Sequence, residues 1–363
     1  MSRLRLTFAC GIYDRTDALR TGDVAVEDID LDFLAIGNPR EIFDRMGGKQ
    51  EFDLAEFSSS EFISRKARGD CPFVALPVFP ARVFRHGYIY VNRKAGIRTP
   101  KDIEGKRVGV ALYTMTAAVW IRGLLAHQYG VDLSTVHWVE GAINHAGRHG
   151  DPSAPPLLKP VEIAHDPKGR SLSELLAKGE IDVITGTQHP LPHADIVPLF
   201  PDARTVERGF YRKTRIFPIM HLIVIRRDRY ERHPWIAGKL YQAFVEAKEL
   251  ALGRMHKGHP FMLPWVHDDI HEVDEVFGGD PYPYGIEANR PTLEALVQYL
   301  HEQNFIPHAM ALEELFVPLP GGASSPSPHR VEDRAEPVRT SGQARLSSPG
   351  SRADNAPTTP LPK

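Results

Sequence analysis

Short apolar runs that read as strands alternate with helical runs along most of this chain, and that alternation constrains the fold more than any other feature. Leu4, Leu6, Phe8 and Cys10 recur at every second residue, the period of a half-buried strand. Strand-like residues 29–36 and 52–57 follow, with a helix expected over 39–46 between them. Residues 107–111 form a strand that feeds a helix beginning near Thr114, with Ala118, Ile121 and Leu125 on one face. Leu172, Leu175 and Leu176 mark a further helical face, which Gly179 ends before a strand over 181–185. Strands that alternate with helices predict a mainly parallel sheet, with ligands at the C-terminal ends of the strands. The expected fold class is α/β.

At 363 residues the chain exceeds one typical core, so two lobes and a tail are expected. Ile219, Leu222, Val224 and Ile225 fit a buried strand within 216–225. A long helix over 235–255 follows, with Ile236, Leu240, Phe244, Ala247 and Ala251 at helical spacing. Pro291 suits the first turn of a helix that carries Leu293, Leu296, Val297 and Leu300. The first lobe is thereby discontinuous, built from 1–92 and 211–318, with 93–210 as the second lobe and a ligand cleft between them. Residues 151–160 are proline-rich and read as an insertion or surface loop. From Leu319 onward the composition turns to Gly, Ser, Pro, Thr and Arg, and 319–363 is expected to form a disordered C-terminal tail.

The formal net charge of -2 supplies no broad attraction to nucleic acid or to a membrane surface. No apolar stretch approaches the ~20 residues needed to span a bilayer. Cys10 and Cys71 make neither a disulfide framework nor a metal-type pair, and Cys10 suits a small core position. The opening residues Met1 to Phe8 read as a strand rather than a signal peptide, so a cytoplasmic location is expected.

Two strand ends offer polar groups to a ligand. One is the run Ser58, Ser59, Ser60; the other is the turn from Tyr113 to Thr116. A helix start presents unpaired N–H groups suited to a carboxylate, and Thr114 and Thr116 add hydroxyls; simple helix capping is the alternative. Arg82 and Arg85 precede the first crossover, Arg212, Lys213 and Arg215 the second, and Arg15 follows the first strand. Arginine forks bind carboxylates bidentately, although any one of these can simply be solvated. His189 lies at a strand end and His221 near the second crossover, where an imidazole can exchange protons near neutral pH. His267 and His271 sit four apart, as on one face of a metal-binding helix, but lack the glutamate of the His-Glu-x-x-His motif. No cofactor is required on this reading, and a divalent metal stays open as an alternative. There is no phosphate-cradling loop, dinucleotide fingerprint or nucleophile elbow.

The strand Gly87–Asn92, the segment 97–110, the turn and helix over 112–120 and the later helix and strand over 175–183 together resemble the second lobe of a type 2 periplasmic-binding-protein-like fold. Four segments, 53–60 (DLAEFSSS), 115–125 (MTAAVWIRGLL), 217–221 (FPIMH) and 280–290 (DPYPYGIEANR), resemble the 4,5-dihydroxyphthalate decarboxylase family, over a span from Leu4 to Val317. That resemblance implies decarboxylation of 4,5-dihydroxyphthalate to 3,4-dihydroxybenzoate and carbon dioxide. A ring hydroxyl para to each carboxylate supplies the electrons, so no cofactor is formally needed. The implied assignment makes His221 the ring protonator and His189, with Glu56, the hydroxyl base; Glu56 has a structural role as its alternative. Arg15, Arg82, Arg85, Thr114, Thr116 and Ser58 to Ser60 would position carboxylates. The partner is then a small aromatic dicarboxylate, with no nucleic acid and no membrane, and a homo-oligomer is left open. Two competing readings use the same cleft. One is a non-catalytic solute-binding or sensor protein for aromatic carboxylates, for which both histidines would be dispensable. The other is a lyase acting on another cyclic carboxylic acid.

Overall fold

The computed structural model describes residues 3–150, 154–257 and 262–319, so residues 320–363 of the expected tail and 151–153 of the proline-rich loop lie outside the described residues. The strands are β1 (Leu4–Cys10), β2 (Ile29–Ala35), β3 (Leu54–Ser58), β4 (Phe73–Arg82), β5 (Ile89–Asn92), β6 (Arg107–Val110), β7 (His137–Glu140), β8 (Ile163–His165), β9 (Val183–Thr185), β10 (Ile196–Pro198) and β11 (Ile219–Arg226). They form two sheets, ordered β2-β1-β3-β11-β4 and β10-β5-β9-β6-β7-β8. β1 runs parallel to β2 and β3, whereas β11 is antiparallel to both of its neighbours. In the second sheet β6 runs parallel to β7 and β9, and β5 pairs antiparallel with β9 and β10.

Eleven helices of more than one turn cover the sheets among the described residues. They are α1 (Asp14–Thr21), α2 (Pro39–Lys49), α3 (Ser59–Arg68), α4 (Thr116–Tyr129), α5 (Leu172–Ala177), α6 (Ala203–Thr214), α7 (Arg227–Arg232), α8 (Ile236–Lys257), α9 (Val266–Phe277), α10 (Arg290–Glu302) and α11 (Leu312–Leu315). Their starts follow local chemistry. Asn38 accepts from the Arg40 N–H and Pro39 occupies the first turn of α2, and Pro291 does the same for α10. α4 begins two residues later than the Thr114 start expected, with Met115 at its cap and no side-chain capping bond.

The first sheet is an apolar slab covered on both faces. Phe57, Leu222 and Val224 pack on one side, and Leu6, Phe8, Ile223 and Ile225 on the other. A separate core around Val108, Ile121, Leu125 and Trp138 holds the second sheet. The sequence reading overlooked β4, which contains Pro77 and Pro80. Among the strands β4 pairs with β11, and beyond it only an isolated bridge links Ala75 to Phe316, so β4 forms the sheet edge, where a missing backbone donor is tolerated. Its register with β11 shifts on either side of His221. Such irregularities re-aim a side chain beside functional sites. The chain passes from the first sheet to the second between β4 and β5, and returns between α6 and β11.

Candidate active site

A cleft of about 510 Å³ is lined from both sheets and their helices, a volume suited to a small ring compound. Its first-sheet wall carries His221 from β11, Arg15 and Tyr13 from the segment after β1, Arg82 from the end of β4 and Arg85 from the segment that follows it. Thr114, Met115, Thr116 and Ala117 enter from the start of α4.

Glu56, near the end of β3, is fully buried and holds His221. Its Oε1 accepts from Tyr13 Oη at 2.6 Å and lies 2.5 Å from His221 Nδ1. Oε2 accepts from the Gly11 N–H at 2.9 Å, and Cys10 Sγ lies 3.6 Å away. Burial pushes the Glu56 carboxyl upward. The facing His221 charge and the hydrogen bonds from His221, Tyr13 and Gly11 outweigh it and hold the group below the usual carboxylate range. Glu56 therefore stays ionised and fixes the imidazole with Nδ1 toward itself, leaving the other ring nitrogen for the cleft. Phe43 meets the His221 ring edge-on at 4.9 Å between centroids. Burial, followed by Glu56, pushes the Tyr13 hydroxyl far above its ordinary value, so Tyr13 remains a donor.

Arg82 and Arg85 are buried, and neither has a carboxylate partner among the described residues. Arg82 donates to the Phe217 and Pro283 carbonyls at 3.4 and 2.9 Å and to Asn289 Oδ1. Arg85 donates to the Gly186 carbonyl at 3.5 Å and meets Met220 Sδ at 2.6 Å. The Nε atoms of both are buried without a partner. Burial lowers each guanidinium to about 10, so both remain charged at neutral pH. Two uncompensated buried cations beside one cleft call for an anion. Arg15 also lines the cleft, but it is in an ion pair with Asp14 at 2.9 Å; it is stacked over the Tyr282 ring at 4.0 Å and the Tyr13 ring at 4.5 Å, with Nε donating to the Pro80 carbonyl.

The hydroxyl residues divide. Ser58 Oγ and Ser60 Oγ lie 3.0 and 2.9 Å from Thr116 Oγ1, and the Ser60 N–H donates to that same oxygen. Ser60 Oγ also donates to the Thr114 carbonyl at 3.2 Å. Ser58 and Thr116 line the cleft, but much of their capacity is spent tying α3 to α4 across the two sheets. Ser60 lies behind the wall and Ser59, whose Oγ is buried without a partner, is not part of the lining. His189 is a correction to the sequence reading: it is exposed and outside the lining. Its ring stacks at 4.9 Å on Tyr88, which does line the cleft, and Nδ1 lies 2.8 Å from Tyr90 Oη. Glu56 is likewise outside the lining, fully buried and in contact with His221. Arg212 pairs with Glu275 at 2.6 Å on the surface, and neither it nor Lys213 nor Arg215 lines the cleft.

Sequence reasoning missed Tyr13, Tyr88, His149 and Tyr282 as lining residues. Tyr88 and Tyr282 fell inside segments already singled out, whereas His149 carries no local signal. His267 and His271 lie on α9, and among the described residues no group of three or more His, Cys, Asp or Glu side chains is placed to hold a metal ion. No described helix is long and apolar enough to cross a membrane.

Two α/β lobes joined by two crossings, with a ligand cleft between them, define a type 2 periplasmic-binding-protein-like protein. No family model matches the chain. A 4,5-dihydroxyphthalate decarboxylase from Comamonas testosteroni is 35% identical over 324 residues, 88% of this chain and 98% of that protein. Another of the same name from Pseudomonas putida is 35% identical over 216 residues, 58% of this chain and 83% of that one. The chain belongs to the 4,5-dihydroxyphthalate decarboxylase family and is an enzyme of decarboxylase type. Among solved structures, the periplasmic aliphatic sulphonate-binding protein SsuA from Escherichia coli aligns at a TM-score of 0.49 and 13% identity, covering 95% of this chain and 99% of that one. The desulfurization enzyme DSZB aligns at 0.41 and 14% identity, covering 87% and 97%.

Proposed function

We propose that this enzyme decarboxylates 4,5-dihydroxyphthalate to 3,4-dihydroxybenzoate, with His221 delivering the proton to the ring carbon. The observation that carries the reading is the His221–Glu56 pair, 2.5 Å apart, in a cleft that also holds two buried guanidiniums without carboxylate partners.

The chemistry follows from the substrate. Each carboxylate stands para to a hydroxyl, so loss of that hydroxyl proton pushes electron density onto the carbon bearing the carboxylate. The His221 imidazolium gives its proton to that carbon. The bond to the carboxylate then breaks, its electron pair restores the aromatic ring, and carbon dioxide leaves. The phenolate takes back the proton first lost from the hydroxyl. Ionised Glu56 compensates the imidazolium before transfer and does so in a water-poor setting, where the effect is strongest. Arg82 and Arg85 supply charge for the retained carboxylate, and Arg15 for the rim of the ligand.

The test is incubation of purified protein with 4,5-dihydroxyphthalate, following 3,4-dihydroxybenzoate by chromatography, beside His221→Ala. Product from the wild type and at least a 100-fold loss in the variant is the expected outcome, on the scale of general acid catalysis at ~10²–10⁴. No product, together with a thermal shift by phthalate, would point to a binding protein instead. Equal turnover by the variant would remove His221 from the mechanism.

A further inference from the structure

The reaction proposed above also needs a group that takes the proton of the ring hydroxyl, and His189 stands outside the cleft. The cleft-lining side chains that could exchange a proton are Tyr13, Glu61, Tyr88, His149, His221 and Tyr282. His221 is committed to Glu56, and Tyr13 donates to that same carboxylate. Glu61 is in an ion pair with Arg65 at 2.9 Å. Tyr88 is stacked on the His189 ring and Tyr282 lies under the Arg15 guanidinium. That leaves one imidazole.

We propose that His149 is the catalytic base for the ring hydroxyl. The assignment rests on the decarboxylase reading and adds to it a residue from the second lobe. His149 follows β7, whereas His221 lies on β11 of the first sheet, so acid and base come from opposite lobes and work together only when both enclose one ligand. Its ring is half-buried. Burial first, then the charges of Arg40 and His145, keep it below the ordinary histidine value, so it is neutral and able to accept a proton at pH 7. Arg40 approaches from α2: a Cβ at Gly150 would lie 3.6 Å from its Nε. Arg40 is in an ion pair with Asp44, and the charge it still presents to His149 disfavours a proton there and favours a phenolate formed beside it. The transfer is balanced: the hydroxyl O–H bond breaks, its electron pair stays on the phenolate oxygen, and the proton moves to an imidazole nitrogen. After carbon dioxide leaves, it returns to the product phenolate.

The probe is 3,4-dihydroxybenzoate, which carries the hydroxyls but does not react further. Ionised catechols absorb at longer wavelength than neutral ones, so a difference spectrum at pH 6.5 reads the bound ligand's protonation state without turnover. Wild type should show the ionised band. His149→Gln should bind the probe without the band, lose about 100-fold or more in turnover of 4,5-dihydroxyphthalate, and bind phthalate, which lacks hydroxyls, within twofold of wild type. Retention of the band or of turnover in the variant, or absence of the band in wild type, overturns the assignment. If His149→Gln fails to bind phthalate, His149→Ala with added imidazole decides: return of the band supports the base and no return overturns it. A wild type that ionises the probe through His149 yet does not decarboxylate would refute the proposed reaction and keep His149 as the base.

Discussion

Replacing Glu56 by glutamine isolates the pair that carries the proposed chemistry. The amide keeps the shape of the side chain, but its single oxygen can accept from the Gly11 N–H or from the Tyr13 hydroxyl and not from both, and it carries no charge. Charge centres separated by roughly 4 Å at an effective dielectric of about 20 attract by about 4 kcal/mol. Residual hydrogen bonding to the amide recovers part of this, so the imidazolium loses about 2–4 kcal/mol of support. At about 1.4 kcal/mol per tenfold, kcat should fall about 30- to 700-fold. KM should change little, because Glu56 is fully buried and does not line the cleft. Steady-state formation of 3,4-dihydroxybenzoate measures both constants, and a thermal melt excludes simple unfolding. A kcat within threefold of wild type, or a loss confined to KM, would refute the reasoning. The pH dependence adds a second check. Because the folded enzyme holds the Glu56 carboxyl below its ordinary value of about 4.3, the stability it contributes is complete above that value. It is lost as pH falls through the depressed folded value, and Glu56→Gln should remove that part of the acid-side loss.

Three further perturbations test other parts of the molecule. Arg85→Met should raise the melting temperature, since it removes a buried unpaired charge, while weakening phthalate binding about 100-fold; unchanged affinity by calorimetry would exclude Arg85 as an anchor. Burial lowers His86 to about 4, so wild-type stability should drop by about 3 kcal/mol between pH 6.5 and pH 4 as the unfolded chain takes up a proton first. Urea melts of His86→Phe should show a flatter dependence over that window, and an unchanged slope would clear His86 of the effect. A Cβ at Gly123 would fall 2.1 Å from the Tyr299 ring, so Gly123→Ala should cost about 1–3 kcal/mol in a thermal melt, and no loss would show that α4 and α10 can part freely.

Much of the architecture was legible because burial imposes a period. The alternation from Leu4 to Cys10 marks a strand with one well-covered face, and the helices 236–257 and 290–302 show their apolar stripes plainly. β4 escaped notice because its prolines argue against a strand, and only the sheet order shows that it occupies an edge. The arginines were legible by class and position. Their lack of carboxylate partners was not, since pairing depends on what other segments bring near. His189 and His149 make the same point from both sides. A strand end promised the first a place in the cleft, and Tyr88 takes it; a featureless loop delivers the second. Nothing in one-dimensional spacing separates those outcomes.

The place of β11 also sets a timetable for the newly made chain. β3 and β4 do not pair with each other; both wait for β11, and about 140 residues separate Arg82 from Ile219. At elongation speeds of about 5–20 residues per second, that is a delay of roughly 7–28 s on the ribosome. All six strands of the second sheet emerge within it, between Ile89 and Pro198. The inserted lobe can therefore fold while its host still shows two open β edges. Those edges are the sites at which nascent copies of this enzyme would cross-pair and at which a chaperone would have most to do.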